Sequence, residues 1–297
     1  MPRIECVLQC EDLLGEAVLW CTRTKLVWWV DTLNAVLQSW DPVTRHHRRY
    51  AVAGNTLGSF ALRDKGGMLL ALDNRLATFD PRSGVLEDFA KPEADEPPNR
   101  MNDGRCDRRG RFWVGSMPLV AAEATGSLYR AGADGVVQRI RGDILVPNSM
   151  AFSPDDRTFY FADTRRGTIW AYDFHVDEGL ISDQRVFADT TGHPGGPDGS
   201  CVDTDGYLWN AEYGGGRLVR YAPDGRIDGV IEMPVSLPTC CAFGGPQLDT
   251  LYVSTARYVA PARRQLTPEQ LAAQPLAGGL FAIDVGARGV PEPYFRG

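Results

Sequence analysis

The sequence predicts an all-β protein, a six-bladed β-propeller. Three observations predict it: helical patterns are almost absent, short apolar runs follow one another along the whole chain, and these runs recur at a regular spacing. Counted from start to start, the runs recur roughly every 40 to 50 residues, the length of a propeller blade. We expect six units to fill residues 1–297 as a single domain. A β-sandwich with long insertions is the alternative, but its units would not repeat so often at one length.

Each predicted blade has a short aromatic or apolar run that suits an inner strand, covered on both faces by neighbouring blades. The runs are residues 27–31, 68–73, 112–116, 159–163, 208–212 and 251–255. Most are followed by a turn and a second run. Trp28, Trp113, Trp170 and Trp209 occupy repeated positions in these strands. We therefore predict that they form the core between blades and do not stack on a sugar.

One clear helical pattern interrupts the strands, near the C-terminus. Thr267 suits an N-cap, Pro268 the first helical position and Gln270 the position three residues after the cap. The pattern predicts a short helix at residues 267–274, inside an excursion between two strands.

The charge of the chain limits its partners. The formal net charge is -7, and 23% of the residues are charged. Nucleic-acid binding needs a basic surface, so we expect no nucleic-acid partner. A negative balance favours cations over anions at a cleft. No long apolar edge or helix indicates an oligomer interface.

The cysteines and the termini indicate a cytoplasmic protein. The seven cysteines are scattered, and no Cys-x-x-Cys pair is present, which disfavours a thiolate zinc site. We expect them to be reduced and mostly buried. No signal peptide is visible, and no run of about 18 apolar residues predicts a membrane span.

Three polar residues stand in similar positions, in loops that precede strand pairs: Glu16, Asn148 and Asp198. The predicted propeller would bring them to one mouth of its central channel, because loops at one end of every blade surround that channel. Two carboxylates and an amide oxygen suit Ca²⁺, Mg²⁺ or Mn²⁺. Such triples are common in acidic loops. The glycines and prolines around Asp198 predict a stiff turn that presents its carboxylate.

A second candidate group lies in residues 99–113. Arg100 and Asn102 are two residues apart in an extended segment and would share a face. A guanidinium and an amide are a suitable pair for sugar hydroxyls or a lactone carbonyl. Asp103-Gly104 and Arg109-Gly110 are turn signals, which would make this segment a hairpin.

Five ordered segments resemble the SMP-30/gluconolactonase (regucalcin-like) family and cover nearly the whole chain. They are Leu14-Gly15-Glu16, Asn99-Arg100-Met101-Asn102-Asp103-Gly104, Pro147-Asn148-Ser149-Met150-Ala151-Phe152-Ser153, Gly196-Pro197-Asp198-Gly199-Ser200-Cys201-Val202-Asp203 and Pro238-Thr239-Cys240-Cys241-Ala242-Phe243-Gly244-Gly245. The resemblance implies a six-bladed propeller with one divalent metal in its channel, and hydrolysis of a sugar lactone to the aldonic acid.

The resemblance also implies roles for individual residues. Glu16, Asn148 and Asp198 are similar to the family's metal ligands, and Arg100 and Asn102 to its substrate contacts. Asp198 is similar to the proposed general base. A carboxylate bound to a dication is a poor base, so metal-activated water oriented by Asp198 is favoured. The oxygen ligands tolerate Ca²⁺, Zn²⁺, Mn²⁺, Mg²⁺ or Fe²⁺.

One segment departs from the family. Some members carry acidic residues after the methionine that matches Met117, whereas Pro118-Leu119-Val120 follows here. We therefore expect a more apolar pocket on that side. Gluconate, galactonate, arabinonate and xylonate lactones differ by one hydroxyl configuration or one carbon, which the pocket loops would distinguish.

Two other functions remain open. A phosphotriesterase-type hydrolase would use the same metal and scaffold. A regucalcin-like calcium-binding propeller would hold the ion without catalysis, but it would not require Arg100 and Asn102. A protein-interaction propeller lacks support, because no Trp-Asp dipeptide signature recurs.

Overall fold

The structure, a computed structural model, describes residues 2–93, 98–119, 123–260 and 264–297. Six four-stranded antiparallel sheets account for most of these residues. The strands of the N-terminal half are β1 (Ile4–Leu8), β2 (Gly15–Cys21), β3 (Leu26–Asp31), β4 (Val36–Trp40), β5 (His47–Ala51), β6 (Leu57–Leu62), β7 (Met68–Leu72), β8 (Arg75–Phe79), β9 (Leu86–Ala90), β10 (Asn99–Cys106), β11 (Phe112–Pro118), β12 (Gly126–Ala131) and β13 (Val137–Ile144). The strands of the C-terminal half are β14 (Pro147–Phe152), β15 (Thr158–Asp163), β16 (Thr168–His175), β17 (Leu180–Asp189), β18 (Gly196–Val202), β19 (Leu208–Tyr213), β20 (Arg217–Tyr221), β21 (Ile227–Glu232), β22 (Pro238–Gly244), β23 (Thr250–Thr255), β24 (Tyr258–Val259), β25 (Arg264–Gln265) and β26 (Leu280–Asp284).

The sheets are the blades of a β-propeller, which confirms the predicted fold. Blades 1 to 5 each consist of four consecutive strands, starting from β2, β6, β10, β14 and β18. Blade 6 has the order β1-β26-β23-β22, so the N-terminal strand completes the last blade. The first strands of successive blades contact one another in a closed ring, with β22 against β2. These innermost strands therefore surround a central channel.

The repeated apolar runs are buried, as predicted, but they are not the innermost strands. They form the second strand of each blade, β3, β7, β11, β15, β19 and β23. The innermost strands precede them and carry the polar candidate residues. A search for apolar runs does not find these innermost strands, because one side of each strand faces the channel and their composition is therefore mixed.

A separate apolar cluster fills the space between each pair of neighbouring blades. Trp28, Trp113 and Trp209 are buried in these clusters, and Trp170 packs against one of them. Trp209, for example, meets Phe243 of the next blade edge to face, with ring centroids 5.9 Å apart. The prediction that these tryptophans form the core between blades is confirmed.

Every innermost strand contains a β-bulge near its beginning. The register against the second strand shifts after Glu16, Leu57, Met101, Asn148, Pro197 and Pro238. Ala17 (φ 52°) and Ser149 (φ 62°) occupy the left-handed region directly after two of the candidate ligands. A bulge interrupts the alternation of side chains and re-aims a residue. Strict alternation would place some of these side chains between blades, and the bulges turn them toward the channel instead.

Two predicted turns are strands. Residues 196–202 form β18, so Asp198 lies at a bulge and not in a turn; the ladder with β19 overrides the local Gly and Pro signals. Asp103-Gly104 likewise lies within β10. Gly110 (φ 76°) does form the predicted turn before β11.

The predicted helix is confirmed as α1 (Pro268–Ala273), between β23 and β26 of blade 6. Thr267 Oγ1 accepts a hydrogen bond from Gln270 N, and Gln270 Oε1 accepts one from Thr267 N, which completes a capping box. No helix among the described residues is long and apolar enough to cross a membrane.

The C-terminal segment, residues 285–297, crosses the end of the channel at which the innermost strands finish. Its backbone bonds to loops of several blades: Phe295 N donates to Leu62 O at 2.8 Å, and Arg296 N donates to Gly110 O at 3.1 Å. Arg105 Nη1 lies 2.8 Å from Glu292 Oε2 in a nearly buried ion pair. A cavity of about 40 Å³ lies beside this pair.

Candidate active site

The candidate residues lie at the opposite end of the channel, where the innermost strands begin. Glu16 is on β2, Arg100 and Asn102 on β10, Asn148 on β14 and Asp198 on β18. Four of the six blades therefore contribute side chains. Asn102, Asn148 and Asp198 are buried, whereas Glu16 and Arg100 are half-buried.

A chain of hydrogen bonds connects three of these side chains. Arg100 Nη1 donates to Asn102 Oδ1 at 2.7 Å, so the two residues do share a face. Asn102 Nδ2 donates to Asn148 Oδ1 and to Pro147 O, both at 2.9 Å. Both hydrogens of the Asn102 amide are therefore engaged. Among the described residues, Nε and Nη2 of Arg100 have no hydrogen-bond partner and remain available to a ligand.

A hydrogen bond to its backbone carbonyl holds Asp198 in place, so its carboxylate is available to other partners. Asn210 Nδ2 donates to Asp198 O at 2.8 Å and to Ser200 Oγ at 2.9 Å. Asp198 is only 4% exposed. Its Oδ1 is buried and has no hydrogen-bond partner among the described residues. A buried carboxylate oxygen without a partner is costly, unless a cation or ligand meets it.

Negative charge accumulates around one guanidinium in this part of the channel. Burial, followed by the carboxylates of Glu16 and Asp103, raises the pKa of Asp198 well above its usual range. Burial and Asp103 also raise the pKa of Glu16. Burial lowers the pKa of Arg100 to about 10, although Glu16 and Asp198 oppose that shift. The charge of Asp103 thus disfavours the ionised forms of both Glu16 and Asp198, an arrangement that an added divalent cation would stabilise.

The donor set fits a divalent metal. Among the described residues, no group of three or more His, Cys, Asp and Glu side chains is placed to hold one. The amide oxygen of Asn148 would therefore be the third ligand, beside Glu16 and Asp198. Oδ1 of Asn148 has two lone pairs, and Asn102 uses one of them. The partnerless Oδ1 of Asp198 supplies the observation that a metal would explain.

Two residues near the site escaped the sequence analysis. Asp103 accepts hydrogen bonds from Met150 N at 3.1 Å and Gly104 N at 2.8 Å, inside the channel. Its Asp-Gly pair gave only a turn signal. Thr164 Oγ1 lies 2.7 Å from Asn148 Nδ2. The sequence does contain a signal for Thr164. In blades 1 and 4 the second strand ends at an aspartate that a threonine follows, and this threonine comes sixteen residues after Glu16 in blade 1 and sixteen after Asn148 in blade 4.

The β24–β25 hairpin lies beside the channel mouth. The Tyr213 hydroxyl donates to Tyr258 O and accepts from Ala260 N at 2.9 Å. Burial, with a smaller effect of Asp198, raises the pKa of Tyr213, which places this ring near the carboxylates. Tyr213 is the last residue of β19, the strand that pairs with β18.

The segment that departs from the family pattern lies at the end of β11. Pro118 is buried and Leu119 is 45% exposed. Val120 lies outside the described residues.

The chain is similar to known proteins over nearly its whole length. A model of the family described as SMP-30/Gluconolactonase/LRE-like region matches residues 14–257, a span that contains every candidate residue. The chain is 34% identical to 6-deoxy-6-sulfogluconolactonase of Pseudomonas putida over 294 residues, which cover 99% of each protein. It is 38% identical to L-arabinolactonase of Azospirillum brasilense over 291 residues, which cover 96% of this chain and 93% of that protein.

A solved structure shares the whole architecture. A calcium-binding protein, regucalcin, from Agrobacterium tumefaciens superimposes with a TM-score of 0.91 at 33% identity, over 98% of this chain and 96% of that chain.

Proposed function

Because the chain belongs to the SMP-30/gluconolactonase/LRE-like family, we propose that it is a sugar lactonase that depends on one divalent metal ion. Its substrate would be an aldono-1,4- or 1,5-lactone of the glucono-, galactono-, arabinono- or xylonolactone type, and its product the aldonic acid. The observation that carries this proposal is the buried Oδ1 of Asp198, which lies beside Glu16 and Asp103 and receives no hydrogen bond from any residue that the structure describes. Relatives named as lactonases support the substrate class.

Glu16, Asn148 and Asp198 would hold the ion, which we propose is Ca²⁺, Zn²⁺, Mn²⁺, Mg²⁺ or Fe²⁺. All three supply oxygen, which these ions accept. A bound ion would supply Lewis acidity toward the lactone carbonyl and lower the pKa of a bound water.

The remaining chemistry belongs to the protein's own side chains. Asp198 orients the attacking water and can take up its proton. Arg100 donates through Nε and Nη2 to the carbonyl oxygen, which becomes negative as water attacks the carbon. The ring C–O bond then breaks, and the leaving oxygen takes from Asp198 the proton that came from the water and becomes a hydroxyl. Asn102, whose N–H groups are engaged, orients Arg100 and can only accept from a substrate hydroxyl.

A second function draws support from a different observation. The Agrobacterium structure is described as a calcium-binding protein, and several relatives are named regucalcin. A calcium-binding propeller would need the three oxygen ligands but not the donors that Arg100 leaves available. A phosphotriester hydrolase would need both the oxygen ligands and the Arg100 donors, so only a substrate test can distinguish it from a lactonase.

The experiment uses metal-stripped protein and measures acid release from a panel of pentono- and hexonolactones, with each divalent ion added back. Metal-dependent turnover should be lost in Glu16→Gln and Asp198→Asn. Glu87→Gln is the matched control, because Glu87 is an exposed residue of the outer strand β9. Phosphotriesters are assayed in parallel. Ion binding without turnover of any lactone would contradict the lactonase proposal and favour the calcium-binding function.

A further inference from the structure

Thr164 lies behind the metal-facing side of Asn148 and links two blades. It opens the 3₁₀ turn Thr164–Arg166 that follows β15. Its backbone N donates to Val146 O at 3.0 Å, which fixes the turn against the start of β14. Its Oγ1 is 2.7 Å from Asn148 Nδ2 and 2.7 Å from Pro197 O. Pro197 directly precedes Asp198, so one hydroxyl contacts the neighbourhoods of two candidate ligands.

The chemistry of these three groups fixes the direction of both bonds. Pro197 O can only accept a hydrogen bond, so the Thr164 hydroxyl must donate its single hydrogen to it. Thr164 Oγ1 must then accept from Asn148, which requires the NH₂ end of that amide to face Thr164. The oxygen end of Asn148 consequently faces the channel, where Asn102 also donates to it. Asn102 and Thr164 thus hold the two ends of the amide. Without Thr164, Asn102 alone would oppose a rotation by half a turn, which would present hydrogens to a cation.

We infer that Thr164 is a positioning residue of the metal site, which together with Asn102 sets the orientation of the Asn148 amide and ties β14 to β18. This inference rests on the proposed function, because it assumes that Asn148 Oδ1 binds the ion. Partners of metal ligands commonly change metal affinity by about 10- to 100-fold when they are removed.

The fold supplies a matched control in blade 1. Thr32 occupies the equivalent position: it opens a 3₁₀ turn after β3, and its N donates to Leu14 O at 2.8 Å. An aspartate precedes each turn and makes an equivalent hydrogen bond: Asp31 accepts from Leu14 N, and Asp163 accepts from Val146 N, both at 3.1 Å. Thr32 Oγ1, however, is buried without a hydrogen-bond partner among the described residues. It stands behind Glu16, whose carboxylate has no N–H to orient.

The test measures the dissociation constants of Ca²⁺, Zn²⁺ and Mn²⁺ by competition with a chelating dye, without any turnover. Thr164→Val removes the hydroxyl and keeps the shape, and Thr164→Ser keeps the hydroxyl. We expect Thr164→Val to weaken binding about 10- to 100-fold, and Thr164→Ser and Thr32→Val to bind as the wild type does. Unfolding of the metal-free variants is followed in parallel to show that each is folded.

A second comparison isolates the orientation of the amide. Aspartate has two equivalent oxygens, so in an Asn148→Asp background the Thr164→Val change should have little effect on affinity. Equal binding by wild type and Thr164→Val would overturn the inference. An equal loss in Thr164→Ser or in Thr32→Val would also overturn it, because packing and not the hydroxyl would then be responsible. A wild type that binds no divalent ion would overturn the metal-dependent function itself, and this inference with it.

Discussion

Asn102 donates a hydrogen bond through Nδ2 to Oδ1 of Asn148, at 2.9 Å, across the boundary between blades 3 and 4. The same Asn102 amide accepts from Arg100 at 2.7 Å. One side chain thus orients a candidate substrate contact and a candidate metal ligand together. The two proposed functions of the site, holding an ion and polarising a substrate, would therefore be coupled through this amide.

Asn102→Asp should destabilise the metal-free protein. The new carboxylate still accepts from Arg100, but its second oxygen would face Pro147 O and Asn148 Oδ1 without a hydrogen between them. Each buried polar atom left without a partner costs about 1–3 kcal/mol. We expect the Tm to fall by on the order of 5 °C, as measured by circular dichroism. Asn74→Asp, at an exposed turn residue, should leave the Tm unchanged; a wild-type Tm for Asn102→Asp would contradict the assigned amide orientation.

The fold was predictable because blades must bury a strand on both faces. Residues 112–116 and 208–212 are apolar for that reason, and their spacing follows from the constant size of a blade. The innermost strands were not found, because a channel-lining face carries polar residues and each strand is bulged. Residues 196–202 therefore resemble a turn, although their backbone is held in a ladder with β19.

The identities of the site residues came from their resemblance to a family, and only the structure shows how they contact one another. The bond from Asn102 to Asn148 joins residues 46 positions apart. No local pattern encodes it, since it depends on two bulges that turn both side chains toward one channel. Thr164 escaped notice for the same reason: a Thr at the end of a strand ordinarily predicts only a cap.

Gly199→Ala should disturb the site through the backbone. A Cβ at this position would lie 2.5 Å from Cys240 Sγ and 2.8 Å from Cys240 Cα on the adjacent innermost strand. The Cα atom cannot swing aside, so β18 must move and carry Asp198 with it. We expect a loss of about 1–3 kcal/mol in the free energy of unfolding and a fall in lactone turnover of roughly 100-fold. Urea unfolding and steady-state rates measure the two effects.

The control for this substitution is Gly229→Ala on the outer strand β21, where an added Cβ would meet no heavy atom within 4 Å. Both properties should be unchanged there. Full activity in Gly199→Ala would show that the contact between β18 and β22 does not position Asp198.

The buried carboxyl of Asp12 should make stability depend on pH. Asp12 accepts from Trp29 Nε1 at 2.7 Å and Gln38 Nε2 at 2.8 Å. Burial, and then the charge of Asp31, raises the pKa of Asp12 from 3.8 to about 6. An acid whose pKa is higher in the folded protein contributes stability that is complete below the unfolded pKa and is lost as the pH rises through the folded pKa. The advantage of wild type over Asp12→Asn should therefore fall by up to about 3 kcal/mol between about pH 4 and pH 8.

Urea unfolding of both proteins across this range measures the slope. Asp41→Asn is a control of opposite sign, because the hydrogen bond from Thr44 lowers the pKa of Asp41. The stability that Asp41 contributes is lost as the pH falls. A difference between wild type and Asp12→Asn that does not change with pH would contradict the raised pKa of Asp12.

The ion pair at the far end of the channel should hold the C-terminal segment in place. Arg105 and Glu292 are 2.8 Å apart, and their side chains are only 12% and 16% exposed. Glu292→Gln would deprive the buried Arg105 guanidinium of its ion-pair partner and leave only the more distant charge of Asp103. Removing one partner costs about 3–5 kcal/mol in buried pairs. The double substitution Arg105→Met with Glu292→Gln should recover part of that loss, because neither charge of the pair then remains to be desolvated. Asp224→Asn, which breaks the exposed pair with Arg226, should have no measurable effect. Urea unfolding distinguishes these outcomes. If Glu292→Gln is as stable as the wild type, the pair does not anchor residues 285–297, and other contacts, among them the backbone hydrogen bonds to Leu62 and Gly110, keep that end of the channel covered.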